Sequence, residues 1–169
     1  MNQRLSDALL GGVAGVIGAS GMTLVRMLAH RAGLIDQMVP QAIEQELERR
    51  TGRPRMPGTS RAVDQALHLG YGLVMGAIYS AVVSRPRREP TTSRSAAYGL
   101  AHWAFGSMAL LPGLRIAPPA WRRGMAENAV DIAAHVVYSE ITSFVAREFA
   151  RQEERSPRAG HPGAPARVG

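Results

Sequence analysis

Three long stretches of the chain carry no charged residue: 8–25, with 18 residues, and 65–84 and 95–114, with 20 each. A helix rises about 1.5 Å per residue, so roughly 20 residues cross the ~30 Å hydrocarbon layer of a bilayer. Helices of a soluble core normally keep a charged outer face, and these stretches offer none. A fourth stretch, 126–146, has the length but holds Glu127, Asp131 and Glu140. Beside three other spans it reads as the last helix of a bundle, with most of its polar residues turned inward. The pattern therefore predicts an all-α, four-helix transmembrane bundle with spans at about 8–29, 64–84, 95–114 and 126–146. The rival is a soluble four-helix bundle, but its helices would lack a solvated face and its glycines would weaken them in water.

The connections differ in kind. Residues 39–50 start near Pro40 and carry Glu44, Glu46, Glu48, Arg49 and Arg50, which predicts an amphipathic helix in the first connection. Residues 51–60 are a loop rich in Gly and Pro. Arg85, Arg87, Arg88 and Arg94 crowd the second connection, around Pro86 and Pro90. Pro112-Gly113 ends the third span, and Trp121 with Arg122 and Arg123 reads as an interfacial anchor. Residues 1–150 form a single membrane domain, and 151–169, rich in Pro and Gly, read as a disordered tail.

Composition sharpens this picture. The 169 residues contain 20 basic and 13 acidic side chains, a net charge of +7. Every basic residue is arginine, and cysteine is absent. That excludes disulfides, thiolate metal sites and cysteine nucleophiles. The arginines are spread over the ends of all the spans, with no basic face interleaved with aromatics, so nucleic acid is not an expected partner. Four spans put both termini on one side. Arginine counts on the two sides are nearly balanced, and the dense short loop at 85–94 places the termini in the cytoplasm.

Glycine and buried polar residues carry the remaining signal. Gly11 and Gly15 form a GxxxG pair that Gly18 and Gly21 continue, a small-residue face for tight helix packing. A dinucleotide fingerprint is excluded because no strand precedes the cluster and the GxGxxG order is missing. A cleaved signal peptide ending near Ser20 is the other alternative, disfavoured by Asp7 in the leader and by the length of the apolar stretch. In the fourth helix Glu127, Asp131, His135, Tyr138 and Thr142 fall within an arc of roughly 80°. Glu140 lies about 220° from Glu127, off that stripe. The second helix repeats the arrangement with Asp64, His68, Tyr71, Met75 and Tyr79. The third places Tyr98 and His102 on a stripe that Phe105 and Ala109 continue.

Ionisable groups in hydrocarbon face one another or a water-filled cavity, so one cluster of His68, His102, Asp131 and His135 is expected near the outer half of the membrane. Three roles compete for it: a structural hydrogen-bond network, a site that binds or relays a proton or small polar ligand, and a metal site on His135, Asp131 and His68. The spacing of Asp131 and His135 suits two ligands on one helical face, but no HExxH motif is present. Two histidines could also ligate haem, although no motif points there, and no cofactor is expected. The leading expectation is a non-enzymatic membrane protein that binds or relays at this cluster. The alternatives are a membrane-embedded metalloenzyme and a structural partner subunit of a membrane complex. Glycine-rich packing also makes a homo-oligomer conceivable.

The run Pro118-Pro119-Ala120-Trp121, followed by Glu127-Asn128, Asp131-Ile132 and His135, resembles the C-terminal signature of the YagU-like family of small bacterial inner-membrane proteins. His68–Tyr71 is similar in style. The resemblance covers the last third of the chain and, elsewhere, the order of helices; the chain departs from the family in its shorter connection after the first helix. It implies a multi-pass protein of the bacterial inner membrane and carries no established activity.

Overall fold

The computed structural model describes residues 3–35, 46, 48–52, 57–83 and 92–155; these contain helices and no strand. Four helices make the body: α1 (Gln3–Arg31), α2 (Pro57–Val82), α3 (Thr92–Ala104) and α4 (Met125–Arg155). A π-helical segment, Phe105–Leu110, and the short turn Leu111–Gly113 extend α3 without a break. The helices are longer than the charge-free runs because their polar first and last turns are also helical. The fourth continues to Arg155, so residues 151–155 belong to it and not to a tail; residues 156–169 lie outside the described residues. Of the amphipathic helix at 39–50, residues 46 and 48–50 are helical and the others lie outside. Within it Arg49 and Arg50 both bond Glu46, and these bonds hold the Glu46 carboxyl below the usual glutamate range. The dense arginine loop falls largely outside the described residues.

Two helices, over Leu5–Arg31 and Met125–Gln152, are long and apolar enough to cross a membrane. The fourth, which its acids made the least obvious span, is one of the two. Within α3 the regular α-helix stops after 13 residues, where the π-helical segment takes over.

α1 lies between α2 and α4, and α3 packs on the other side of α4. Glycine makes the closest approach possible. A side-chain carbon added to Gly15 would stand 2.7 Å from Gly76 Cα, and one added to Gly76 would stand 2.6 Å from Gly15 Cα. Gly72 meets Ala19 in the same way, so the GxxxG face of α1 docks on a second small-residue pair in α2. Gly18 sits against the Tyr138 carbonyl of α4, and Gly99 of α3 against the His135 carbonyl. Three tyrosines close the bundle. Tyr138 donates to the Gly72 carbonyl at 2.8 Å, Tyr98 donates to the Met75 carbonyl at 2.6 Å, and Tyr79 meets Ser95 at 3.1 Å.

Both connections at the far end from the termini are tied together by Arg50, which donates to the Leu114 carbonyl. α1 ends in a Schellman motif, with Gly33 left-handed and Leu34 donating to the Ala29 carbonyl. α3 ends in the same way at Arg115 (φ 56°), a position where a side chain is strained and glycine is usual.

The distribution of polarity is inverted relative to a water-soluble protein. Ser95, Ser139, Thr142 and Ser143 are fully buried, while Leu28 is 56% exposed and Phe144 63%. Alanine, methionine and tyrosine (Ala19, Met22, Met75, Ala134, Tyr138) form the small apolar core between α1, α2 and α4.

Candidate functional site

The most polar part of the interior sits where α1 ends and α4 begins. Asp131, in the second turn of α4, is held between two arginines. Arg26, five residues before the end of α1, pairs with Oδ1, and Arg123, in the connection to α4, pairs with Oδ2 at 2.7 Å. The three side chains are 7%, 3% and 5% exposed. Removing each ion from water costs several kcal/mol, which only close, multiple pairing offsets. Glu127 stands at the rim, 39% exposed and 3.6 Å from Arg123.

This overturns the expectation that Arg123 is an interfacial anchor. Trp121 and Arg122 are exposed as that reading requires, but the backbone turns extended at Arg123 after the 3-10 turn Ala120–Arg122 and sends its side chain inward. Asn128 braces the turn by donating to the Ala120 carbonyl at 2.8 Å.

The π-helical segment supplies a further acceptor. Leu111 donates to Gly106, five residues back, and Pro112 has no N–H to offer. The Ser107 carbonyl is left open on the inside of the bundle, and Arg123 Nη2 reaches it at 3.4 Å. The wider turn also redirects the helix face. Phe105, expected on the inner stripe, is 51% exposed, and Gly106 and Ser107 are buried in its place.

Below the ion cluster lie the histidines. The rings of His102 and His135 meet edge to face with centroids 4.8 Å apart. Tyr71, Tyr98 and Tyr138 surround His102 at 5.3, 6.1 and 5.0 Å. His135 Nδ1 donates to the Asp131 carbonyl at 2.7 Å, which assigns the ring proton to that nitrogen and ties the ring to the residue that holds both arginines. His102 is only 3% exposed, and neither of its ring nitrogens has a hydrogen-bond partner among the described residues. The Tyr71 hydroxyl, against the same ring, is also buried and has no hydrogen-bond partner among the described residues.

Of the residues singled out from the sequence, Asp131, His135 and His102 come together, and Glu127 joins at the rim. His68 bonds the Ala19 carbonyl of α1 at 3.3 Å. The side chain of Asp64 lies outside the described residues. Glu140 stays off the stripe, and its buried Oε1 has no hydrogen-bond partner among the described residues. Among the described residues no three His, Asp or Glu side chains converge to hold a metal ion. Both Asp131 oxygens face guanidiniums, and the bonded nitrogens of His135 and His68 face carbonyls. Sequence reasoning missed Arg26 and Arg123 as partners of Asp131. The available signal was Arg26 itself, which directly follows the charge-free run of the first helix. Compared with protein-family models, with curated proteins and with solved structures, the chain matches none.

Proposed function

We propose that the chain is a four-span protein of the bacterial inner membrane, with both termini cytoplasmic, that binds or relays a proton or small polar ligand at the His102–His135 pair. The observation that carries this reading is His102, a buried imidazole pressed against a second imidazole, whose two ring nitrogens have no hydrogen-bond partner among the described residues. Buried polar groups are nearly always bonded, so an unpaired one marks a place for water, a proton or a ligand. Asp131 serves as countercharge to two guanidiniums in this scheme, and the exchange is assigned to the histidines. The polar interior and apolar exterior support the membrane setting.

Membership of the YagU-like family belongs to the same proposal. It is supported by the way the signature works as a unit, with Asn128 bracing the turn at Ala120, Asp131 fixing Arg123, and His135 bonding Asp131.

The test is proton uptake into vesicles holding the purified protein and a trapped pH-sensitive dye, driven by a potassium diffusion potential. The wild type should acidify the lumen faster than empty vesicles, and His102→Phe should lower the protein-dependent rate at least tenfold. Equal rates for wild type and variant, or for wild type and empty vesicles, would remove the relay.

A further inference from the structure

We infer that water and protons reach the His102–His135 pair from the side of the bundle that carries the termini, along the buried hydroxyls of Ser143, Ser139, Ser95 and Tyr79. The inference rests on reading the pair as a proton or ligand site and names the route into it. α3 and α4 run antiparallel. A side-chain carbon added to Gly99 of α3 would stand 2.5 Å from Ser139 Oγ and 2.7 Å from the His135 carbonyl oxygen. One turn back along α3 and one turn on along α4 bring Ser95 and Ser143 to a common level, nearer the termini. His135, Ser139 and Ser143 follow one another at four-residue steps on one face of α4, about 6 Å apart along its axis. Tyr79 of α2 joins at the level of Ser95, with its hydroxyl 3.1 Å from Ser95 Oγ. The Tyr79 ring meets Tyr98 edge to face at 5.1 Å, and the Tyr98 ring lies 6.1 Å from His102.

Bonding sets these hydroxyls apart from serines that only pack helices. All four side chains are fully buried, yet Ser143 Oγ has no hydrogen-bond partner among the described residues. In the Tyr79–Ser95 bond either oxygen can be the donor, so the bond can reverse as a proton passes. Ser139 donates to the Val136 carbonyl at 2.9 Å and keeps lone pairs to accept with. The step of about 6 Å between turns is close to the reach of one water bonded at both ends, two bonds of ~2.8 Å. Each hydroxyl or water takes a proton on a lone pair and releases its own to the next. None keeps a net charge, and the arriving proton resides on an imidazole nitrogen. The other end of the pair adjoins Arg26, Asp131 and Arg123, and a guanidinium does not give up its proton in a protein. The hydroxyl side is therefore the route.

The chain has no cysteine, so one introduced thiol reports its own surroundings. The thiolate is the reactive form, and it forms where water reaches. In membrane vesicles, Ser143→Cys should react with a charged, membrane-impermeant methanethiosulfonate at least tenfold faster than Phe144→Cys. Phe144 is the next residue along α4 and lies on the apolar exterior, 63% exposed. The reaction should proceed in vesicles that turn the termini outward and not in vesicles of the opposite orientation. Equal rates for the two thiols, or a faster reaction from the face opposite the termini, would overturn the route. A purely structural serine would lower resistance to unfolding in Ser143→Cys without making its thiol reactive. Reactivity of Ser143→Cys without proton uptake by the wild type would retain the route and remove the relay; uptake by the wild type beside an unreactive Ser143→Cys would do the reverse.

Discussion

One carboxylate carries more of the interior than any other side chain. Asp131 bonds arginines from two different segments, and its own carbonyl holds His135. Replacing it by asparagine leaves buried Arg26 without a paired countercharge and Arg123 with only Glu127 at the rim, a loss of about 3–5 kcal/mol. Arg26→Gln should cost less, because Arg123 and Asp131 remain as a balanced pair. Unfolding of both variants in mixed micelles with rising sodium dodecyl sulfate would measure the order; a larger loss for Arg26→Gln would contradict the assignment of Asp131 as the centre. The acid and the histidines were legible in the sequence because a charge inside an apolar run is conspicuous. The arginines were not, since an arginine near a helix end satisfies the rules for topology as well as those for burial. Only three-dimensional packing separates a snorkelling side chain from one that turns inward.

The elements show a similar division. The Gly11–Gly15 face of α1 is legible from spacing, and its partner in α2 carries the same four-residue interval at Gly72 and Gly76, without the run of glycines that makes the first conspicuous. The seam and the π segment make opposite predictions for the same kind of substitution. At Gly76 an added carbon stands 2.6 Å from Gly15 Cα, so Gly76→Leu must force α1 and α2 apart. At Gly106 the space is open, and Gly106→Ala should stabilise α3 by roughly 0.5–1 kcal/mol by restricting the unfolded chain. Thermal melts of the two variants should move in opposite directions. A destabilised Gly106→Ala would mean that the space is smaller than the backbone implies. The π segment itself was not legible. Its visible traces are a glycine and a proline six residues apart, which equally well describe an ordinary helix end.

At the scale of the whole molecule, polarity runs from inside to outside. Hydroxyls, imidazoles and the Arg26–Asp131–Arg123 cluster share the centre with a small apolar core, and leucine, valine and phenylalanine face outward. A protein built this way should resist extraction with alkaline carbonate, and recovery in the soluble fraction would remove the membrane reading. Reporters fused at either terminus should both report the cytoplasm. If both report the periplasm, the spans stand and the orientation is reversed.

The Arg26–Asp131 pair has a consequence for biosynthesis. The ribosome makes Arg26 about a hundred residues before Asp131. In a membrane, α1 would have to wait through that interval with an unmatched charge near one end, held at the lipid headgroups by its own arginine. Arg123, by contrast, is made eight residues before its acid, so α4 can enter already neutralised. In that setting, pairing with Asp131 of the last helix would draw the Arg26 end of the first one inward. A chain truncated before α4 would present α1 as a shallow, exposed segment, the kind of substrate that membrane proteases remove.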